Sequence, residues 1–458
     1  MGEANQAMST PTLISSTQRR VVVGLGATGL SVARFLHGRG ESFSVVDSRA
    51  EPPGLAALRE AMPDVPVLLG GWHQDVLDTA GELIVSPGLS PDEPALAQAV
   101  AAGAGLLGDI DLFVREARAP VVGITGSNGK STVTALLGAM AREAGRNVGV
   151  GGNLGTPALD LLDDARELYV LELSSFQLER AGSLGLDVAT VLNVSADHLD
   201  RHGTLPRYHQ VKHRIFSGCR AVVFNSDDPL TIPPLARDRS ALSWRLGEPQ
   251  LNGFGLREEA GETFLAEGFT PLIPVSELPM AGRHNLANAL AALALGRAAG
   301  LEMAPMLAAL RSFRGLPHRC ELVLERDGVR WINDSKATNV GAALAAIDGL
   351  GPQGRLLLIA GGEGKGADFA PLRRAVASYC DAVLLIGAAT ADIADAIGDA
   401  CELVQAQTLE RAVAEAARRA QPGHTVLLSP ACASFDQFDN YTVRGDAFAS
   451  AVRAEVGS

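Results

Sequence analysis

The sequence has few cysteines, no long apolar run and no excess of positive charge. Its five cysteines are scattered and form no CxxC pair, which excludes a disulfide framework, a zinc ribbon and a thioredoxin-type motif. Apolar stretches are interrupted before they reach the roughly 18–20 residues that span a bilayer. The first 20 residues lack a basic head followed by an apolar run, so we expect no signal peptide and a reduced, cytoplasmic setting.

The charge balance is acidic. Asp and Glu number 52 against 39 Lys and Arg, which gives a formal net charge of −13. An acidic surface repels phosphate backbones and anionic lipid, so we expect neither nucleic-acid binding nor stable membrane insertion. Any anionic ligand must therefore be held by a local site.

Short apolar runs alternate with helix-period stretches along the 458 residues. The predicted strands are 20–24, 43–47, 83–86, 121–125, 168–173, 189–194, 221–225, 355–360, 382–386 and 425–429. Continuous apolar strands separated by helices indicate an α/β fold with parallel sheets. Breaks at 103–108 and 314–317 suggest three domains, at about 1–108, 109–315 and 316–458.

A glycine-rich turn follows the first predicted strand. Gly24, Gly26 and Gly29 form the pattern GxGxxG, and Asp47 ends the next predicted strand. Such glycines allow a phosphate to approach a helix N-terminus, and an acidic residue at this place takes ribose hydroxyls in dinucleotide-binding domains. Taken alone, the pattern is typical of an NAD(P)-dependent oxidoreductase, although a sugar-nucleotide domain or a turn that binds nothing would use the same glycines.

The second pattern is a phosphate-binding loop. Residues 121–132 read VVGITGSNGKST, which is a strand, a glycine-containing loop and the start of a helix. Lys130 would neutralise the β- and γ-phosphates, and Ser131 would reach Mg²⁺. Ile124 stands where the usual motif has its first glycine, and Gly126 fills the loop instead. A dehydrogenase has no use for a triphosphate site, so we expect the N-terminal turn to hold a substrate that carries its own nucleotide.

Acidic residues and histidines follow two further predicted strands. Glu172 ends one strand, and the segment 193–201 (NVSADHLDR) follows the next. Carboxylates at strand ends beside a phosphate loop hold Mg²⁺ in triphosphatases. Two i, i+4 histidine pairs are also present, His198 with His202 and His209 with His213. This spacing would suit zinc, but no Glu or Cys completes either pair. Lys212, between the second pair, is on this pattern alone an exposed helix lysine.

Three polar loops follow apolar strands in the last third of the chain. They read NDSKATN at 333–339, GGEGKG at 361–366 and SPACASFD at 429–436. Open α/β sheets bind ligands at the carboxyl ends of their strands, where such loops lie. Because Lys336 and Lys365 stand on two of them, the loops predict a site for an anionic ligand, although each alone is compatible with a plain turn.

In this order, the motifs resemble those of the Mur ligase family of peptidoglycan synthesis. The resemblance runs from GLGATG to SPACAS through TGSNGKST, GGNLGTP, LELSSFQLE, NVSADHLDR, GRHNLANALAA, LPHRCE, NDSKATN and GGEGKGADF. It implies a Rossmann-like N-terminal domain for a UDP substrate, a central P-loop-type ATPase domain with a parallel sheet, and a Rossmann-like C-terminal domain for an amino acid.

The resemblance also implies a reaction. ATP would phosphorylate the carboxylate of UDP-N-acetylmuramoyl-L-alanine, and the amine of D-glutamate would attack the acyl phosphate to form an amide. Mg²⁺, as two ions, would be the cofactor, and the enzyme would be a monomer. Three alternatives stay open: a family member for another amino acid, an NAD(P)-dependent oxidoreductase, and an idle nucleotide-binding regulator.

Matching residues take the family's roles by resemblance. Those implied in catalysis are Lys130, His198 and Lys212, the last at the position of a lysine that CO₂ carbamylates. Those implied in ATP binding are Gly126, Ser127, Asn128, Gly129, Lys130, Ser131, Thr132, Asn285, Asn288, Arg319 and Asp334. Those implied in substrate binding are Thr28, Asp47, Arg49, Asn153, Lys336, Thr338, Lys365, Ser434, Phe435 and Tyr441. The implied metal ligands are Ser131, Glu172, His198 and carbamylated Lys212.

Two residues depart from the family pattern. Phe435 stands where a leucine is familiar, and Tyr441 where a phenylalanine is. Both would line the amino-acid pocket, so the departures bear on fine specificity rather than on the class of reaction.

Overall fold

The computed structural model describes residues 19–234, 239–280 and 282–457. Most of the segment on which the absence of a signal peptide was predicted therefore lies outside the described residues. The chain divides into two compact units, Met1–Leu112 and Phe113–Ser458. Within the described ranges, none of the helices combines the length and the apolar character that crossing a membrane requires.

The first unit contains a five-stranded parallel sheet in the order β3-β2-β1-β4-β5. Its strands are β1 (Arg20–Val23), β2 (Phe43–Asp47), β3 (Val67–Leu69), β4 (Glu82–Val85) and β5 (Gly105–Leu107). Its helices are α1 (Ala27–Gly38), α2 (Leu55–Ala61), α3 (Gln74–Asp78) and α4 (Pro94–Ala101). Helix α5 (Asp109–Glu116) contains the division between the two units.

The second unit begins with a nine-stranded sheet in the order β14-β13-β12-β11-β10-β9-β6-β8-β7. Its strands are β6 (Val121–Thr125), β7 (Val148–Gly152), β8 (Leu168–Glu172), β9 (Val188–Val191), β10 (Ala221–Asn225), β11 (Ser240–Trp244), β12 (Gly253–Glu259), β13 (Glu262–Glu267) and β14 (Thr270–Pro274). Its helices are α6 (Lys130–Glu143), α7 (Ser175–Leu178), α8 (Leu199–His202), α9 (Leu205–His213), α10 (Arg283–Ala298) and α11 (Met303–Ser312).

The second unit ends with a six-stranded sheet in the order β15-β16-β20-β17-β18-β19. Its strands are β15 (Glu321–Arg326), β16 (Val329–Asn333), β17 (Leu356–Gly361), β18 (Cys380–Ile386), β19 (Glu402–Gln407) and β20 (Thr425–Leu428). Its helices are α12 (Val340–Leu350), α13 (Leu372–Tyr379), α14 (Thr390–Ile397), α15 (Leu409–Arg419) and α16 (Tyr441–Val456).

The apolar stripe of α6 shows how the sequence sets the packing. Val133, Leu136, Leu137 and Met140 recur at i, i+3, i+4 and i+7, and all four are fully buried in the core of the nine-stranded sheet. The helix ends at Glu143, and Gly145 follows with the left-handed φ of +75° expected after a helix. The phosphate loop before α6 is therefore held at the carboxyl end of β6.

The prediction of an α/β fold with parallel sheets is confirmed, and each predicted strand is present within three residues of its predicted bounds. The expectation of parallel pairing fails at two sheet edges. β12, β13 and β14 form an antiparallel meander, and β15 pairs antiparallel with β16. The turn at Ala260–Gly261 closes a hairpin, a short connection that only antiparallel strands allow. The domain boundaries near residues 108 and 315 stay predictions.

Candidate active site

One cavity of about 620 Å³ gathers most of the predicted nucleotide and metal residues. The strands β6, β8 and β9 are parallel, so the loops at their carboxyl ends meet at one edge of the sheet. The predicted site residues that line the cavity are Ser127, Asn128, Gly129, Lys130, Ser131, Thr132, Asn153, Glu172, His198, Lys212, Asn285, Asn288, Arg319, Asp334, Lys336 and Thr338. The cavity thus joins loops of both sheets of the second unit.

The phosphate loop folds around the ammonium group of Lys130. Lys130 Nζ donates to the carbonyl oxygens of Gly126, at 2.7 Å, and Ser127, at 2.9 Å. Burial lowers the pKa of Lys130, while the nearby Glu172 carboxylate opposes that shift. Gly129 has a left-handed φ of +84°, and a Cβ there would lie 2.5 Å from the Asn288 side-chain oxygen. Glycine is therefore required where the loop enters α6.

The segment after β9 holds the phosphate loop in place by two reciprocal pairs. The Ser127 hydroxyl donates to the Ser195 carbonyl and accepts from the Ser195 N–H, both at 2.9 Å. The Asn193 amide accepts from the Asn128 N–H at 2.8 Å and donates to the Asn128 carbonyl at 2.9 Å. Both residues belong to the segment NVSAD, and no role was predicted for Asn193 or Ser195 from its sequence.

Glu172 offers an oxygen atom suited to a cation. Its Oε1 accepts from Asn153 Nδ2 at 2.7 Å, whereas Oε2 is buried without a hydrogen-bond partner. A buried carboxylate oxygen that lacks a donor fits a bound Mg²⁺ ion, which prefers oxygen ligands and keeps several waters. Ser131 Oγ, the other predicted oxygen ligand, accepts from an Arg319 guanidinium N–H at 2.6 Å. Asn153, predicted to contact the muramoyl substrate, thus also orients the Glu172 carboxylate.

The histidines form no zinc site among the described residues, where no group of three His, Cys, Asp or Glu side chains is placed to hold a metal. His198 has a left-handed φ of +52°. Its ring packs edge-on against the Phe176 ring, with 4.8 Å between the ring centroids. His202 is buried, with Nε2 3.0 Å from Ser175 Oγ. His202 therefore has a packing role rather than a ligand role.

Lys212 is 1% exposed, so its interpretation as an exposed helix lysine is wrong. Its Nζ donates to the Gly126 carbonyl at 2.8 Å and lies 4.4 Å from the centre of the Tyr208 ring. Burial lowers the pKa of Lys212 well below its usual value, and repulsion from Lys130 lowers it further. A larger share of Lys212 is thereby a neutral amine.

Arg319 and Asp334 flank the first two strands of the six-stranded sheet: Arg319 precedes β15, and Asp334 follows β16. Arg319 reaches Ser131 of the phosphate loop, as described above, and burial lowers its pKa. Asp334 accepts from the Cys320 N–H at 3.2 Å and from the Ser429 hydroxyl at 2.8 Å. Burial raises the pKa of Asp334 to about 7 despite these bonds. Both carboxylate oxygens of Asp334 therefore have protein donors.

Four of the residues predicted to bind the amino-acid substrate do not line this cavity: Lys365, Ser434, Phe435 and Tyr441. Two of them are paired with lysines through their rings. Lys336 Nζ lies 4.0 Å from the Tyr441 ring centre, and Lys365 Nζ lies 4.8 Å from that of Phe435. Burial, with repulsion from Arg319 and Lys130, lowers the pKa of Lys336 to about 8.

Arg444, which the sequence analysis missed, joins two of the polar loops. Its guanidinium donates to the Ser335 hydroxyl and carbonyl, at 3.0 and 2.8 Å, and to the carbonyls of Cys432 and Ala433, at 3.1 and 3.2 Å. The side chain is 1% exposed. The loops that carry Lys336 and Ser434 are therefore held together by one buried cation.

The chain contains only four lysines: Lys130, Lys212, Lys336 and Lys365. Three of them line the cavity, and the fourth pairs with Phe435. All other basic residues are arginines and histidines.

The first unit has its own pocket, of about 380 Å³, at the GxGxxG turn. Thr28, Asp47 and Arg49 all line it. A Cβ at Gly29 would lie 1.9 Å from the Gly24 carbonyl oxygen, so the strand-to-helix turn requires glycine. Asp47 accepts from the Leu25 N–H at 2.7 Å and from two guanidinium nitrogens of Arg49 at 2.7 and 2.9 Å.

The hydrogen-bond partners of Asp47 bear on how it could contact a ligand, and its role in substrate binding stays a prediction. Burial raises the pKa of this carboxyl, but hydrogen bonds from Arg49 and the Leu25 N–H outweigh burial and hold the pKa at about 2. Both carboxylate oxygens already have protein donors. Asp47 therefore orients Arg49 instead of standing free for the ribose hydroxyls of a dinucleotide.

Three domain models of one family match along the chain. They are described as Mur ligase MurD-like, N-terminal domain (residues 18–108), Mur ligase middle domain (124–296) and Mur ligase, glutamate ligase domain (318–432). Together they cover most of the chain.

Relatives match over nearly the full length. The UDP-N-acetylmuramoylalanine–D-glutamate ligase of Pseudomonas syringae pv. tomato is 58% identical over 442 residues, covering 96% of this chain and 99% of its own. The enzyme of the same name from Pseudomonas aeruginosa is 57% identical with the same coverage. Among solved structures, the MurF ligase of Thermotoga maritima in complex with ADP has a TM-score of 0.60 at 19% identity, covering 96% of this chain and 98% of its own. That last likeness shows a shared fold.

Proposed function

Because the chain belongs to the Mur ligase family, we propose that it uses ATP to join D-glutamate to UDP-N-acetylmuramoyl-L-alanine in peptidoglycan synthesis. The observation that carries the proposal is the near-full-length identity to ligases named for this reaction. The cavity supports it, because it gathers a phosphate loop, a carboxylate with a free oxygen and several cations.

The first step activates a carboxylate. An oxide ion is a poor leaving group, so ATP transfers its γ-phosphoryl group to the substrate carboxylate and forms an acyl phosphate. Lys130 and Arg319, which converge on the loop at Gly126 and Ser131, bind the phosphate oxygens and offset the negative charge that develops on the leaving ADP. Burial strengthens both interactions, because little water screens them.

Magnesium binding is proposed for Glu172, Ser131 and His198. Bound Mg²⁺ would neutralise phosphate charge and act as a Lewis acid. The free Oε2 of Glu172 supports this proposal, and its Oε1 bond to Asn153 fixes the orientation of the carboxylate.

Lys212 is proposed to carry a carbamate. CO₂ reacts with the neutral amine, and burial with repulsion from Lys130 favours that form. The amine nitrogen forms a bond to the carbon of CO₂ and loses one proton, which gives a carbamate anion. Counted from the ammonium form, two protons are released and a cation becomes an anion. An anion beside Lys130 replaces a repulsion with an attraction, which would favour the modified state.

The second step joins the amine to the activated carbon. The D-glutamate amine attacks the acyl carbon, the carbon–oxygen bond to phosphate breaks, and phosphate leaves with the electron pair. We propose that Lys336 and Thr338 in the cavity, with Lys365 and Ser434 on neighbouring loops, bind the carboxylates of glutamate. The chain must also exclude water, which would return the acyl phosphate to carboxylate and phosphate.

The UDP part of the substrate is proposed to bind the pocket of the first unit. Arg49 faces that pocket as a cation oriented by Asp47 and suits a diphosphate. The oxidoreductase alternative loses its main support, because Asp47 has protein donors on both oxygens.

Replacing Arg49 with alanine should raise the KM for UDP-N-acetylmuramoyl-L-alanine by about tenfold, since one charge-assisted contact is lost. The kcat and the KM for ATP should stay within about twofold, because Arg49 takes part neither in ATP binding nor in the two chemical steps. Steady-state kinetics with each substrate varied in turn would measure this. The matched control is Arg39→Ala in the same unit, and equal effects from both variants would contradict the role of Arg49.

The effect of Phe435 and Tyr441, which depart from the family pattern, can be tested by restoring the residues familiar at these positions. Phe435→Leu removes the ring beside Lys365, and an exposed cation–π contact is worth about 0.5–1 kcal/mol. We therefore expect the KM for D-glutamate to rise about two- to fivefold. Tyr441→Phe keeps a ring face beside Lys336 and should change that KM less than twofold. The opposite order of effects would show that the rings do not act through the lysines.

The proposed function is tested by phosphate release from purified protein with ATP, Mg²⁺ and UDP-N-acetylmuramoyl-L-alanine. D-glutamate, L-glutamate or neither is added in parallel. We expect release that needs the UDP substrate together with D-glutamate. Strict dependence on L-glutamate would keep the ligase and change its specificity, whereas no release under any condition would overturn the proposal.

A further inference from the structure

Asn339 lies between the six-stranded sheet and the phosphate loop, and no role was predicted for it. It precedes α12 with an extended backbone (φ −142°, ψ 162°), and its side-chain oxygen accepts from the Ala342 N–H at 2.8 Å. This is an N-cap, which satisfies one of the free N–H groups at the start of a helix. The cap uses only the oxygen of the amide.

The amide nitrogen of Asn339 reaches the other sheet of the unit. It donates to Asp197 Oδ2 at 3.0 Å and to Asn128 Oδ1 at 3.4 Å. Asn128 belongs to the phosphate loop, and Asp197 to the segment that holds this loop through Ser195 and Asn193. One side chain therefore joins α12, the phosphate loop and the segment after β9.

The backbone of α12 also approaches this segment closely. A Cβ at Gly341 would lie 2.9 Å from Ser195 Oγ and 3.4 Å from Asn128 Nδ2. The first turn of α12 thus rests against Asn128, which Asn339 also contacts, and against Ser195 of the segment that contains Asp197. Lys336 and Thr338, the proposed glutamate residues in the cavity, immediately precede this turn.

We propose that Asn339 is a positioning residue, which fixes the glutamate loop on the phosphate loop so that the amine meets the acyl phosphate before water does. The inference rests on the proposed function and deepens it. Asn339 need not touch ATP or glutamate for this role. It acts through Asn128 and Asp197 on one side and through the start of α12 on the other.

The chemistry gives this role a specific signature. In ligation, the amine nitrogen attacks the acyl carbon, phosphate leaves with the electron pair, and the ammonium proton passes to solvent. In the competing reaction, a water oxygen attacks the same carbon and restores the carboxylate, also with release of phosphate. A misplaced glutamate loop therefore raises the ratio of phosphate to amide, which a loss of overall stability would not do.

The test variant is Asn339→Ser, because a serine hydroxyl can still cap α12 but has no amide to donate across the cavity. Wild type should release one phosphate per amide formed. The variant should release at least about two, with kcat/KM for D-glutamate lowered about tenfold, because misplacement by about 1 Å costs up to 10²-fold in rate. The KM for ATP should stay within about twofold.

The matched control is Thr408→Ala. Thr408 is exposed and caps the N-terminus of α15, a helix that belongs to the same six-stranded sheet domain as α12. This variant should keep the one-to-one ratio. A one-to-one ratio for Asn339→Ser, at any rate of turnover, would overturn the inference.

Amide hydrogen exchange of the free protein separates this inference from the proposed function. Asn339→Ser should speed exchange in residues 127–131 by at least about tenfold, and Thr408→Ala should not. Hydrogen exchange needs no turnover, so it would still test whether Asn339 stabilises the phosphate loop if wild type formed no amide. Unchanged exchange in 127–131 would contradict the coupling.

Discussion

Replacing Lys130 with alanine should lower kcat by about 10²–10³-fold. The Lys130 ammonium is the cation that the phosphate loop encloses, and loss of one such group from a preorganised site costs about 10²–10³-fold. Phosphoryl transfer shifts negative charge towards the β-phosphate of the leaving ADP, which this cation faces, so the transition state loses more stabilisation than the ground state does. The measurement is phosphate release at saturating ATP, UDP substrate and D-glutamate.

The fold should survive this change. Burial disfavours the Lys130 cation, and its hydrogen bonds go to two backbone carbonyls, so the thermal midpoint should move by less than about 3 °C when it is removed. Arg142→Ala, at the exposed far end of the same helix α6, is the matched control and should keep its activity. Turnover of Lys130→Ala within tenfold of wild type would remove Lys130 from the proposed mechanism.

Lys212→Ala should also lower kcat by about 10³-fold, through loss of the carbamate and its negative charge beside Lys130. The truncation leaves space beside Tyr208 and Gly126 that a short carboxylate fits. Added formate or acetate should therefore restore activity at least tenfold, whereas chloride at the same ionic strength should not.

Two controls define the result for Lys212. Formate should not rescue Lys130→Ala, which lacks a cation rather than an anion. A carbamate carbon signal should appear in wild type supplied with ¹³C-bicarbonate and be absent from Lys212→Ala. A folded Lys212→Ala protein without rescue, together with no carbamate signal in wild type, would contradict the carbamylation proposal.

Local sequence patterns predicted the strand-to-loop junctions of the site. The run VVGITGSNGKST placed β6, the phosphate loop and α6, because its apolar periodicity and its glycines act over a few residues. The burial of Lys212 could not be predicted in the same way. Its environment is made by Gly126, which is far away in sequence.

The antiparallel meander β12–β14 shows another limit. Its strands are partly exposed, and they lack the continuous apolar runs that mark the central strands. The contacts of Asn339 were hidden for a different reason. An asparagine before a helix predicts an N-cap, but nothing in the local pattern reveals what its amide nitrogen meets across the cavity.

The small number of lysines makes the site accessible to selective chemical labelling. A surface rich in arginine offers almost no competing primary amines, so an amine-reactive reagent has Lys130, Lys212, Lys336, Lys365 and the α-amino group as its targets. Burial lowers the pKa of Lys336 to about 8, so a larger fraction of it is neutral amine at neutral pH than in an ordinary lysine. An aldehyde or activated ester shaped for the cavity would therefore act as an affinity label, with adducts that mass spectrometry can assign to a few peptides.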